Sequence, residues 1–176
     1  MTNAELWHLF PIFLTEHNPA WAEWYREEIR FLQTVLASDT VFHHIGSTAI
    51  EGIWAKPIVD ILAECRDVEG LERAKSVLET HGYLTMSASA RRISMNKGYT
   101  EDGFAEKVFH LHLRLRGDAD EIYFCDYLNA HPEIAKQYET LKLRLWKEYE
   151  HDRDGYTNAK SAFVKRYTDL AKGSKD

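Results

Sequence analysis

The apolar positions of this chain fall into distinct periodic patterns, and each predicts a different kind of element. After Asn18-Pro19, residues Trp21, Trp24, Tyr25, Ile29, Leu32, Val35 and Leu36 recur at helical spacing. Asn18 reads as the N-cap and Pro19 as the first helical residue, where a missing N–H costs nothing. Residues 41–45 form a short apolar strand candidate that ends in a Gly-Ser turn. Residues 57–63 are a continuous apolar run, as expected of a strand covered on both faces. Asp67 can cap a helix whose buried stripe is Leu71, Ala74 and Leu78, with Gly82 as its stop. Residues 83–86 and 92–95 read as two further strands. Residues 96–105 hold two glycines and no period, and read as a loop. Residues 108–115 read as a strand, alternating strictly from His110 onward.

The last third is helical. Residues 120–130 form one helix. Pro132 opens another, with Ile134, Tyr138, Leu141, Leu145 and Tyr149 on one face. A third covers 156–170, with Ala159, Phe163, Tyr167 and Leu170 aligned, and a small polar tail follows at 172–176. Helix, mixed strands and then helices predict an α+β domain: a small mixed sheet flanked by helices, with a helical C-terminal third.

Composition narrows the class of partner. The 176 residues suit a single domain over 1–176. The net charge of −6 speaks against general binding to nucleic-acid backbones, which needs a basic face. A small anionic ligand stays open, because a local cluster can outweigh the global sign. Cys65 and Cys125 belong to no Cys-x-x-Cys unit and read as reduced thiols. The apolar run 6–14 is too short to span a bilayer and is broken by His8 and Pro11. It has no basic flank or small-residue cleavage site, so it does not read as a signal peptide. A cytoplasmic protein with no membrane partner is expected.

Candidate chemistry begins at His44-Ile45-Gly46-Ser47-Thr48. Glycine lets backbone approach a ligand, and if Thr48 opens a short helix, Ser47 caps it and its free amides attract an anion. A plain cap without ligand is the alternative. Asp60 lies inside Ile58-Val59-Asp60-Ile61-Leu62, where an ionised carboxylate must find a cation or good hydrogen bonds. It binds either a metal or substrate, or a structural partner such as Lys56. His110 and His112, two apart on a strand, project the same way about 7 Å apart. With His44 they can share a metal or hold phosphate, or they are core and edge histidines. Lys56 and Lys160 are candidate phosphate partners, or solvated lysines. Arg91-Arg92 and Lys97-Gly98 either close over an anion or line a solvent edge. No P-loop, Gly-x-Gly-x-x-Gly, zinc-finger spacing or Gly-x-Ser-x-Gly elbow is present.

These motifs, in order, resemble the GrpB family of small bacterial proteins, assigned to the nucleotidyltransferase superfamily. The resemblance starts near Pro19-Ala20-Trp21 and runs through His44 to Thr48, Lys56 to Ile61, Lys97-Gly98 and His110 to Leu113. It continues in Asp126-Tyr127-Leu128, His131-Pro132-Glu133, Tyr138, Lys142 and Tyr156-Thr157-Asn158-Ala159-Lys160. Ala49-Ile50-Glu51 stands where family members usually carry a Ser-Val-Pro-like stretch.

The resemblance implies a nucleotidyltransferase-like fold in which Gly46, Ser47 and Thr48 meet nucleotide phosphate and Asp60 is the first metal carboxylate. The superfamily's second carboxylate falls at Leu62, which cannot bind a metal. Glu64 shares its face but lies about 13 Å along the strand from Asp60. His110 and His112 take the place of a later carboxylate. A two-magnesium site is then incomplete. A set of Asp60, His44, His110 and His112 would better suit manganese or zinc, or a phosphate with no metal.

Three functions are therefore expected as alternatives. One is a transferase: Ser47 and Lys56 hold nucleotide phosphates, Asp60 holds a divalent metal (Mg, Mn or Zn), and His110 or His112 completes the site or acts as base. Another is a binding module without turnover, linked to adenine nucleotides or coenzyme A because some relatives are fused to dephospho-coenzyme-A kinase. The third is a metal-dependent hydrolase of a phosphorylated small molecule.

Overall fold

The computed structural model describes residues 2–173. Helix α1 (Asn3–Leu9) and helix α2 (Ala20–Val35) precede strand β1 (Val41–Ile45) and a single 3-10 turn, Ser47–Ala49. Strand β2 (Val59–Cys65), helix α3 (Val68–Glu79) and strands β3 (Leu84–Ala88), β4 (Arg92–Thr100) and β5 (Gly103–Leu115) follow. Helices α4 (Asp120–Ala130), α5 (Pro132–Glu148) and α6 (Arg153–Gly173) complete the order. No helix among the described residues is long and apolar enough to cross a membrane.

The five strands make one mixed sheet in the order β1-β2-β5-β4-β3. Only β2 and β5 run parallel. Strand alternation then assigns the two faces. Val59, Ile61 and Ala63 of β2 and Leu111 and Leu113 of β5 are fully buried under α2 and α3, against Trp21, Leu32, Leu71 and Leu78. The opposite face carries Ile45 and Leu62 and is covered by α4, α5 and α6 through Phe124, Leu128, Tyr138 and Tyr167. Asp60, His110 and His112 belong to this second face by register.

Local chemistry explains the helix starts. Asp67 Oδ1 caps α3, accepting from the Gly70 amide at 2.7 Å, whereas at α2 the cap residue is Pro19 rather than the expected Asn18, whose Oδ1 accepts from the Ala20 amide at 2.9 Å. Helix α1, which begins ahead of the expected apolar run 6–14, opens with a Thr2/Glu5 capping box.

Three expectations need correction. Residues 96–105 are not a loop: β4 continues to Thr100 and β5 begins at Gly103. The period is hidden by a register shift between Lys97 and Tyr99, where Gly98 takes φ +99°. A Cβ on Gly98 would collide with the Lys107 carbonyl. The extended hairpin is held by rings, Tyr99 on Phe104 at 5.2 Å and Phe10 on Tyr99 at 4.7 Å. On α6, Ala159 and Leu170 face solvent, and the inward stripe is Tyr156, Phe163, Tyr167 and Ala171. Finally, Gly46 rather than Ser47 precedes the 3-10 turn as its cap residue, with φ +75° and no side-chain cap. The tail expected at 172–176 is helical through Gly173, and 174–176 lie outside the described residues.

Candidate functional site

Parallel pairing of β2 with β5 sets Asp60 opposite His110 and Leu62 opposite His112. His112 Nε2 donates to Asp60 Oδ1 at 3.1 Å, and His110 Nδ1 lies 3.7 Å from the same oxygen. Burial alone would raise the Asp60 carboxyl. The His112 hydrogen bond, the adjoining imidazoles and Lys56 outweigh that effect, and the pKa falls to about 2. Asp60 is therefore ionised at neutral pH.

His110 is the reverse case: burial pushes its pKa down to about 3, against the pull of Asp60, so the ring is neutral. Its tautomer follows from its neighbours. Arg153 Nη2, which can only donate, lies 3.4 Å from His110 Nε2, and the Tyr99 hydroxyl is 2.7 Å from the same nitrogen. Nε2 accepts, so the proton sits on Nδ1, toward Asp60. Arg153 Nη1 also donates to Tyr99 Oη at 3.1 Å. Both ring nitrogens of His110 are thus committed. The Nδ1 of His112, by contrast, makes no hydrogen bond among the described residues.

The Gly-Ser bend borders this floor. Ile45, the last residue of β1, pairs with Asp60, so the chain leaves the sheet beside the carboxylate. A Cβ on Gly46 would run into the Asp60 carboxyl group, which is why glycine occupies the bend. Gly46 and Ser47 line the cavity. Thr48 and His44 do not. His44 alternates to the other face, stacks on Tyr25 at 4.7 Å and shares a 3.0 Å hydrogen bond with Thr48 Oγ1. Burial lowers its pKa to about 4. The expected ligand role of His44 and phosphate role of Thr48 are therefore corrected: strand alternation turns His44 away from Asp60, and Thr48, in the 3-10 turn beyond β1, is hydrogen-bonded to His44 and lies outside the cavity lining.

A cavity of about 560 Å³ rises over Asp60, His110 and His112. Lys56, Lys142, Arg153, Tyr156 and Lys160 also line it. Lys56 and Lys160 sit over the Tyr156 ring at 5.2 and 4.8 Å from its centroid. Lys142 is 1% exposed and donates to the Trp54 carbonyl at 2.8 Å. Burial first, then Lys160 and Arg153, lowers the Lys56 pKa to about 7. Burial likewise lowers Lys142 well below the ordinary lysine value, helped by Lys160 and Lys56. None of the three lysines makes an ion pair among the described residues. The other acids at the rim are already engaged, Asp120 with Lys172 and Glu121 with Arg114.

The remaining basic candidates are elsewhere. Arg92 is held by Asp118 at 2.7 Å, and Lys97 donates to Glu28 at 2.8 Å on the far face of the sheet. Sequence reasoning assigned no role to Lys142, Arg153 or Tyr99. Lys142 had a signal: a lysine four residues after Tyr138 and three before Leu145, on an otherwise apolar stripe. Tyr99 was hidden by the bulge, and Arg153 lay ahead of the expected helix start.

The donor set does not fit a two-metal carboxylate site. Leu62, at the second carboxylate position, is fully buried among Ile45, Phe124 and Leu128. Among the described residues no group of three or more His, Cys, Asp or Glu side chains is arranged to hold a metal ion.

Residues 11–170 match the family model described as GrpB protein. Glutamate-rich protein GrpB of Alkalihalophilus pseudofirmus is 33% identical, with 87% of this chain covering 91% of that one. The UPF0157 protein YqkA of Bacillus subtilis is 30% identical over 95% of this chain, which spans only 50% of that protein's length. The crystal structure of conserved protein GrpB from Enterococcus faecalis superposes with a TM-score of 0.81 at 29% identity, covering 93% of this chain and all of that one. More distant likeness extends to nucleotidyltransferases. The Cid1 poly(U) polymerase has a TM-score of 0.51 at 10% identity, over 84% of this chain and 47% of that one. GLD-2, in complex with RNP-8, has 0.55 at 12%, over 82% and 58%. At such identities the likeness concerns the fold. The family-model match over residues 11–170 and the 33% identity to a GrpB protein along most of both chains make this chain a member of the GrpB family.

Proposed function

We propose that the cavity over Asp60 binds a nucleotide or another phosphorylated small molecule. The observation that carries this reading is the cluster of Lys56, Lys142 and Lys160, gathered on one wall without carboxylate partners. Cations withdrawn from water are costly unless negative charge accompanies them, and here the protein supplies little. The Gly46-Ser47 bend offers backbone and hydroxyl groups to the same space. The similarity to Cid1, whose structure was determined with MgATP, supports a nucleotide among the candidate ligands.

The reading favours binding over metal-dependent nucleotidyl transfer, because Leu62 removes a carboxylate that such transfer uses. What chemistry the floor can perform rests on His112. Asp60 holds its Nε2–H, leaving Nδ1 to accept a proton from a ligand hydroxyl.

Calorimetric titration of the full chain with ATP, UTP, coenzyme A and inorganic phosphate compounds tests the proposal. Binding is expected, and Lys160→Met weakens it by about tenfold or more, as for loss of a charge-assisted contact. Incubation with labelled nucleoside triphosphates reads whether turnover accompanies it. Absence of binding by every phosphorylated compound, with and without divalent metals, would overturn the proposal.

A further inference from the structure

We infer that the preferred ligand of this cavity is a metal-free polyphosphate chain rather than its magnesium complex. This rests on the phosphate-binding reading above and deepens it.

The argument is one of charge matching. A triphosphate carries several negative charges along a few ångströms, and sites that bind it as a magnesium complex supply carboxylates to the ion's far side. This floor offers one carboxylate. Its Oδ1 already accepts from His112 and faces the Nδ1–H of His110. The adjacent position that would complete a metal pair is the buried Leu62. The rest of the lining has the complementary excess: Lys56, Lys142 and Lys160 without ion pairs among the described residues, and Arg153 against His110. A bare polyanion brings the negative charge that lets buried Lys56 and Lys142 hold their protons. A magnesium ion on the phosphates cancels part of that charge and finds only Asp60, whose Oδ1 is already hydrogen-bonded to His112. The lysines thus occupy the electrostatic role that a metal plays in a two-metal site.

The test is calorimetric titration of the full chain with two probes, inorganic tripolyphosphate and ATP, each in EDTA and in excess magnesium chloride at constant ionic strength. Both probes are expected to bind in EDTA and to weaken by about tenfold or more with magnesium. Lys160→Met, with Lys160→Gln as a second variant, is expected to weaken EDTA binding by a similar factor while circular dichroism stays unchanged. Equal or tighter binding of either probe with magnesium overturns this inference and leaves the phosphate-binding reading standing. So does full affinity in the folded Lys160 variants, which would place the chain away from the lysine wall. Failure of both probes in both media overturns the inference, and failure of all phosphorylated compounds removes the reading beneath it.

Discussion

Replacing Asp60 by Asn isolates the electrostatics of the cavity floor. The amide keeps the size of the carboxyl and can still accept from His112 Nε2, so the substitution removes charge and little else. In the folded chain the Asp60 carboxyl is pulled from its ordinary 3.8 to about 2. At about 1.36 kcal/mol per pKa unit, that fall is worth about 2 kcal/mol of stability at neutral pH. The side chain is 26% exposed, so solvent screening trims this only modestly. The sign follows from the direction. A carboxyl depressed on folding stabilises above its unfolded pKa, and the contribution is lost as pH falls through the folded one.

Urea unfolding of both proteins between pH 7 and pH 3 reads this out. Asp60→Asn is expected to be less stable by about 2 kcal/mol at pH 7, a drop of about 1 M in the urea midpoint for a chain of this size. By pH 3 the gap shrinks to about half as the wild-type carboxylate begins to protonate. Equal midpoints at pH 7, or a gap unchanged between pH 7 and pH 3, would refute the picture of an ionised Asp60 held by the imidazoles.

Gly46→Ala is expected to cost more than Gly52→Ala. Both glycines have positive φ, +75° and +76°, but only at Gly46 does the new Cβ meet the Asp60 carboxyl, while nothing lies within 4 Å at Gly52. The strain alone is worth about 1 kcal/mol, so urea midpoints should separate the two by a further increment of that order. His44→Phe is expected to leave phosphate affinity within about twofold, since the imidazole lies across the sheet from Asp60. Burial lowers the His44 pKa from 6.5 to about 4, so its stabilisation is present above pH 6.5 and lost as pH falls through 4. The variant should flatten that part of the acid-unfolding curve. Leu62→Asp, which writes the missing carboxylate back into the superfamily pattern, is expected to unfold the chain or cost about 4 kcal/mol or more, because the position is fully buried among apolar side chains. Thermal melts with and without manganese check this, and a stable variant rescued by metal would contradict it.

Local physics decided what could be read from the chain alone. The Asp67 cap and the Leu71, Ala74, Leu78 stripe follow from short-range periodicity and capping, and the C-terminal ends of β1 and α4 from the Gly46 and Pro132 that follow them, none of which needs a distant partner. The candidates Asp60, His110, His112, Lys56 and Lys160 were visible because each is a polar group in an apolar or motif context. Their meeting in one cavity was not visible. The parallel pairing of β2 with β5 set Asp60 beside His110, and alternation on β1 turned His44 away, which only strand register decides. The bulge at Gly98 concealed the hairpin that brings Tyr99 to His110. Lys142 and Arg153 joined the site because α5 and α6 fold back over the sheet, which brings Lys142 to Trp54, 88 residues away, and Arg153 to His110, 43 residues away, contacts for which no local pattern exists.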